Sequence, residues 1–174
     1  MFFSVQDLEV RKIHFDVGFP PGEIDFLEPE LKQKGELKAS GVVELLSHTL
    51  GEIRIQGHVR VELEAPCDRC LEAASIPIDS DFDLFYRPAD TGPDGEEVEI
   101  DDGESEIGFY EGDGLELEDV LREFVLLALP MQTVCRPDCR GICPVCGQNR
   151  NLTACDCVVK PGDDRWAALG NLKK

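Results

Sequence analysis

Residues 53–65 read Ile53-Arg54-Ile55-Gln56-Gly57-His58-Val59-Arg60-Val61-Glu62-Leu63-Glu64-Ala65. Apolar side chains alternate with polar ones along the stretch. A period of two sends them to opposite faces of an extended chain, so this segment predicts a long strand with one buried face. Gly57 falls on the apolar face, where a missing side chain marks a bulge or a close approach. A second alternating run, Ile76, Ile78, Ser80, Phe82, Leu84 and Tyr86, follows the turn Pro66-Cys67-Asp68-Arg69-Cys70-Leu71. With a further run around Ala39 to Leu46, the pattern predicts an antiparallel meander of about three or four strands. Upstream, Ile13 to Phe19 is a candidate strand before the break at Pro20-Pro21-Gly22.

Downstream, residues 90–119 hold fourteen acidic side chains and no basic one. Gly92, Pro93, Gly95 and Gly103 break any periodicity there, which predicts a mobile loop over about 90–106. Ile107 to Tyr110 is a short candidate strand. A helix is expected from Gly114 or Leu115, with Glu116, Glu118 and Asp119 in its first turn, where the helix dipole favours anions. Leu117, Val120, Leu121, Phe124, Val125 and Ala128 make its core face, and Pro130 ends it. Leu126, Leu127 and Leu129 leave its last turns apolar nearly all round, so that end is expected to be deeply buried or to dock a partner. The fold class expected is α+β: an antiparallel β-meander covered by a buried helix, with a small C-terminal zinc-binding cysteine module.

The apolar fraction of 42% is that of a folded chain. No run approaches the roughly 18 apolar residues that span a bilayer, and Met1 to Lys12 lacks the layout of a signal peptide. A reducing cytoplasm is therefore the expected home, and eight cysteines there point to metal rather than disulfides. The net charge of −19 is unevenly spread. From Cys135 onward there are seven Lys or Arg against four Asp or Glu, whereas residues 1–134 carry 10 basic and 32 acidic side chains. The expected division is an acidic domain over 1–134 and a cysteine-rich module over 135–174. The acidic body repels phosphate backbones and attracts basic partners.

Six thiols lie between Cys135 and Cys157. Cys143-Pro144-Val145-Cys146-Gly147 is a zinc-knuckle pattern: two intervening residues allow a tight turn that aims both sulfurs at one ion about 2.3 Å away. Gly147 supplies the positive φ with which the chain leaves the turn. Cys155 and Cys157 can complete a four-thiolate site. Four thiolates saturate one zinc, so three arrangements with separate sites arise, besides a shared two-zinc, six-cysteine cluster. The knuckle with Cys155 and Cys157 can hold one ion, with Cys135 and Cys139 free; this is the preferred one, although spacing alone does not settle the partner pair. Cys135 and Cys139 can instead be the second pair. Or they can join the weaker candidates Cys67 and Cys70 in a second site, using all eight cysteines. Thiolates alone do not exclude an iron–sulfur cluster. A catalytic zinc usually keeps an open position and a His or carboxylate ligand, and the three histidines, His14, His48 and His58, are remote in sequence, so the site reads as closed and structural. A thioredoxin-like role for Cys67 and Cys70 would need a helix N-terminus, whereas the pair joins two strand patterns.

Four segments resemble the large ribosomal RNA subunit accumulation protein family (YceD-like). Cys67-Asp68-Arg69-Cys70-Leu71 is similar to its C-x-R-C-L element, and Ala128-Leu129-Pro130 to the end of its helix. Cys139-Arg140-Gly141-Ile142-Cys143-Pro144-Val145-Cys146-Gly147-Gln148-Asn149-Arg150-Asn151, followed by Cys155-Asp156-Cys157, is similar to its C-x-G-L-C-P-x-C-G-x-N-L-N and C-x-C elements. Asp163-Asp164-Arg165-Trp166-Ala167-Ala168-Leu169 is similar to its closing D-P-R-W-x-x-L. Arg150 and Asp164 depart from the pattern. The resemblance implies support of 23S ribosomal RNA accumulation and large-subunit assembly, without catalysis. Some members of that family lack the C-terminal cysteines, which implies a stabilising role for the metal.

The expected partner is a basic ribosomal protein or a large-subunit assembly intermediate, with no membrane and no small-molecule substrate. The competing expectation is an RNA-binding zinc ribbon that contacts 23S ribosomal RNA through Arg136, Arg140, Arg150, Lys160 and Arg165. Trp166, the only tryptophan, is expected to pack in a short helix rather than meet a partner. No P-loop, G-x-G-x-x-G, H-E-x-x-H or G-x-S-x-G element marks an enzyme.

Overall fold

The computed structural model describes residues 1–89 and 107–158. The acidic stretch 90–106, Lys160, Arg165 and Trp166 lie outside them. The chain divides into two compact units. One comprises residues 1–65 and the described residues of 75–131; the other comprises residues 66–74 and the described residues from Gln132 onward. Residues 66–74 belong to the second unit, although their sequence neighbours on both sides belong to the first.

The first unit is mixed α+β and dominated by strands. Its elements are β1 (Phe2–Ser4), α1 (Val5–Val10), β2 (Ile13–Phe19), β3 (Lys32–Gln33), β4 (Leu37–Leu45), β5 (Ile53–Pro66), β6 (Ala73–Pro88), β7 (Ile107–Tyr110), β8 (Gly114–Glu116) and α2 (Leu117–Leu127). The main sheet runs β2-β4-β5-β6-β7, and β3 pairs with β5. β4 lies antiparallel to β2 and to β5. The connection between β5 and β6 is too short for a parallel crossover, so they form a hairpin. β7 joins the edge parallel to β6, a direction that alternation of side chains does not encode. β1 and β8 make a separate two-stranded ribbon. That ribbon displaces the expected helix start. Gly114 pairs with Ser4, where a Cβ would sit 2.0 Å from the Phe3 carbonyl oxygen, so this segment is extended and α2 begins at Leu117.

One face of the sheet is the core. Val43, Ile53, Ile55, Val59 and Leu63 are fully buried, and α2 adds Leu117, Val120, Leu121 and Val125 at helical spacing. Phe82 of β6 meets Phe124 of α2 with ring centroids 5.4 Å apart. Gly57 is a close approach rather than a bulge. It pairs in register with Gly41, and a Cβ on either would lie 3.0 Å or less from the other's Cα and from a Phe15 or Phe82 ring carbon. The two rings cover the strip of bare backbone that the glycines leave. The far end of α2 is not deeply buried: Leu127 is 79% exposed.

The other face of the sheet is polar. Arg54 donates two hydrogen bonds to Asp83, at 2.8 and 2.6 Å. His58 sits between Asp79 and Asp81, 2.8 Å from each. Among the described residues no helix is long and apolar enough to cross a membrane.

Candidate metal centres

The β5–β6 connection begins with Cys67-Asp68-Arg69-Cys70, and its backbone closes into a knuckle. The Leu71 N–H donates to the Cys67 carbonyl at 2.9 Å, and the Cys67 N–H donates to the Glu72 carbonyl at 2.8 Å. The same two bonds recur downstream, from Gly147 to Cys143 and from Cys143 to Gln148, both 2.8 Å. The residue after the second cysteine has positive φ in both turns, 63° at Leu71 and 73° at Gly147. Glycine meets that need without steric cost, whereas a leucine there is strained. Both C-x-x-C elements are therefore the same turn, although only the second carries the glycine that advertises it.

All eight cysteines are free thiols, and they gather in two groups of four. Cys67, Cys70, Cys135 and Cys139 form the first group. Cys143, Cys146, Cys155 and Cys157 form the second. Within each group the sulfurs lie within 4.8 Å of one another. The second group is the ligand set of the preferred arrangement. Cys135 and Cys139, expected to be free in that arrangement, instead meet Cys67 and Cys70, as in the eight-cysteine arrangement. The reason is local. The Asp68 N–H donates to the Thr133 carbonyl at 2.8 Å, and the Thr133 N–H donates to Asp68 Oδ2 at 2.7 Å. This reciprocal clamp lays the segment after α2 beside the first knuckle.

The geometry of the first group fits a tetrahedral ion. Four sulfurs about 2.3 Å from a common centre are about 3.8 Å apart. Cys67 and Cys139 Sγ are 3.9 Å apart, and Cys70 and Cys135 Sγ are 3.6 Å apart. The electrostatics also ask for a cation. Burial pushes the Cys67 thiol up, but backbone hydrogen bonds from Cys135, Arg69 and Cys70 outweigh it and hold it at about 6. Backbone hydrogen bonds from Cys146 and Val145 hold Cys143 at about 6 as well. Burial and the neighbouring thiols push Cys135 up to about 12, and Cys146 chiefly pushes Cys157 up to about 12. Each group thus has a sulfur that ionises easily and one that resists a further negative charge, a conflict that a bound cation removes. Either group could hold a metal ion.

Several residues around the sulfurs carried no signal in the spacing. Asn151 Nδ2 donates to Cys139 Sγ at 3.3 Å, and Asn151 Oδ1 accepts the Arg140 N–H at 2.8 Å. Asn149 Oδ1 accepts the Asn151 N–H at 3.0 Å, and Asn149 Nδ2 donates to Glu72 Oε1 at 3.3 Å. Only the N-x-N pattern quoted above hinted at them. Arg136, Arg140 and Arg150 are exposed.

A family model described as large ribosomal RNA subunit accumulation protein YceD matches residues 55–173, a span that includes all eight cysteines. A chloroplastic large ribosomal RNA subunit accumulation protein, YCED homolog 1 of Arabidopsis thaliana, is 29% identical over 144 residues, covering 71% of this chain and 45% of that protein. The Zea mays protein of the same name is 29% identical over 133 residues, covering 64% and 45%. A Mycobacterium tuberculosis protein described as uncharacterized is 30% identical over 123 residues, covering 67% and 54%. The chain spans about half the length of these curated relatives. No solved structure matches.

Proposed function

We propose, from the premise that this chain belongs to the YceD family of large ribosomal RNA subunit accumulation proteins, that it is a non-catalytic factor for assembly of the large ribosomal subunit. On this reading it supports accumulation of 23S ribosomal RNA where that subunit is assembled, the bacterial cytoplasm. The acidic first unit engages a basic ribosomal protein or a pre-50S particle. The cysteine unit is a scaffold held by two structural zinc ions, one on Cys67, Cys70, Cys135 and Cys139, the other on Cys143, Cys146, Cys155 and Cys157. Zinc, when bound, supplies the positive charge that four converging thiolates lack. The residues around it do the rest: the two knuckles fix four sulfurs, and the Asp68–Thr133 clamp delivers two more.

The observation that carries the reading is the family match over residues 55–173. Charge then favours protein over bare RNA as the partner, because residues 1–134 hold 32 acidic and 10 basic side chains. The donor set favours a structural metal, since each group is four thiols with no histidine or carboxylate. Affinity purification from growing cells at moderate salt, read by mass spectrometry and RNA sequencing, tests the reading. Large-subunit ribosomal proteins or pre-50S particles are expected to co-purify, and recovery of neither would overturn it.

The second reading is direct contact with 23S ribosomal RNA through the cysteine unit, favoured by the exposure of Arg136, Arg140 and Arg150. Gel shifts with 23S fragments, repeated after Arg140→Ala and Arg150→Ala, separate the two. Salt-sensitive binding that both substitutions weaken would favour the RNA.

A further inference from the structure

The loop that joins the ligand pairs of the second cysteine group also holds a ligand of the first. We propose that the two groups form one cooperative metal-binding unit, in which Asn151 is the positioning residue that ties them together. This inference rests on the metal reading above.

Asn151 lies between Cys146 and Cys155, so its place is set by the second group. Its side chain, however, serves the first. Nδ2 donates to Cys139 Sγ, and Oδ1 holds the N–H of Arg140, the residue next to that ligand. An N–H donor to a thiolate spreads its negative charge, which a centre of four thiolates around a divalent ion carries in excess. Asn149, from the same loop, holds the Asn151 N–H and reaches Glu72, whose carbonyl closes the first knuckle.

A second set of bonds runs through the backbone. The Ile142 N–H, one residue before Cys143, donates to the Arg69 carbonyl at 2.8 Å, inside the first knuckle. The Arg150 N–H donates to the Gly141 carbonyl at 2.9 Å, and Ile142 pairs with Asn149. Gly141 permits this approach: its φ is 70°, and a Cβ would lie 2.8 Å from the Arg69 carbonyl oxygen.

The loop also closes on itself, with the Leu152 and Thr153 N–H groups both donating to the Asn149 carbonyl at 3.1 Å. Leu152, its one large apolar side chain, is 76% exposed. When the second group loses its ion, both ends of the loop are released, and Asn151 leaves Cys139. The first group then keeps four sulfurs but loses the donor that stabilises one of them. Coupling of this kind is reciprocal, so an ion in the first group strengthens the second by the same factor. Cys146 is exposed while Cys67, Cys70 and Cys139 are buried, so a change at the accessible ligand can be read out at the enclosed ones.

The test uses the zinc-loaded full chain, with zinc counted by native mass spectrometry. Each cysteine is then followed by iodoacetamide labelling in excess chelator, mapped by peptide. Asn151→Asp keeps the acceptor for Arg140 but loses the donor to Cys139, and Asn151→Ala loses both. Either substitution is expected to speed labelling of Cys67, Cys70, Cys135 and Cys139 by about tenfold or more, while Thr153→Ala in the same loop leaves it unchanged. Cys146→Ser, at an exposed ligand of the other group, is also expected to speed first-group labelling. Wild-type protein that holds two zinc ions, with first-group labelling unmoved by N151D and C146S, would overturn the coupling and leave the metal reading standing. Wild-type protein that holds no zinc would remove both.

Discussion

The two units of this chain reach order by different physics. The first gathers twenty-four buried apolar or aromatic residues into one core cluster among the described residues. The corresponding cluster in the second is Cys67, Cys70, Ala74 and Cys139, with Val134 and Cys135 packed against it. Three of its four buried members are thiols, too few to offset the conformational entropy of ordering the segment. A sheet–helix unit is ordered by burial, whereas on the proposed metal reading the cysteine unit depends on the ions its sulfurs would hold. Metal dependence should therefore be confined to one part of the chain.

Removing metal gives the largest expected effect. Structural zinc contributes on the order of 10 kcal/mol of apparent binding free energy per site, and in small modules that is folding free energy. In a strong chelator, the amides of Cys67, Leu71, Ile142, Cys143, Gly147 and Arg150 should lose hydrogen-exchange protection. Those of Val43, Ile55 and Val59 should keep it. Loss of protection in both sets together would show that the units do not differ in this way. The converse comes next in size. Phe82 packs on Phe124 and covers Gly57, so Phe82→Ala should destabilise the first unit by about 3–5 kcal/mol. Native mass spectrometry should still count two zinc ions in that variant at low temperature.

The same contrast explains what could be read from the sequence. Residues 53–65 alternate strictly because one face of β5 meets the core and the other meets water, so burial wrote the pattern. The core face of α2 was legible for the same reason. Direction and partnership were not. β7 lies parallel to β6, and β1 pairs with β8 more than a hundred residues away, which no local period records. In the second unit, the Cys143 knuckle was legible through Gly147. The Cys67 knuckle hides its positive φ behind Leu71, and its union with Cys135 and Cys139 depends on the Asp68–Thr133 clamp, a contact across sixty-five residues.

The knuckles supply the next predictions in order of size. Gly141→Ala combines a positive φ with a Cβ 2.8 Å from the Arg69 oxygen. It should therefore cost more than the roughly 1–2 kcal/mol of the backbone conformation alone. Gly147 has a similar φ but open space around a Cβ, so Gly147→Ala should cost only the conformational part. Leu71→Gly reverses the sign: it relieves the strain but gives the unfolded chain more freedom, for a net gain of no more than about 1 kcal/mol. Thermal melts of the zinc-loaded variants should give that ranking. Equal losses at Gly141 and Gly147 would show that the approach to Arg69 is not tight.

The smallest effect lies on the polar face of the first unit, and it opposes in sign what the thiols do. The hydrogen bond to Asp81 raises the pKa of His58 above its ordinary 6.5, against a smaller desolvation, and Asp79 adds to the rise. A raised folded-state pKa gives stability that is fully present below the unfolded value of 6.5 and is lost as pH climbs through the folded one. The first unit should soften slightly on the alkaline side, and His58→Gln should flatten that slope. Cys67, held down at about 6 from its ordinary 9.0, works the other way: its contribution is present above the unfolded value and is lost as pH falls through about 6. Acid should therefore loosen the cysteine unit first, and mild alkali the sheet. Hydrogen exchange at two pH values, about 5.5 and 8.5, reads both trends in one protein. A first unit whose protection does not fall between them would remove His58 from the account. A cysteine unit that stays protected at the lower pH without bound metal would mean that something other than its sulfurs holds it together.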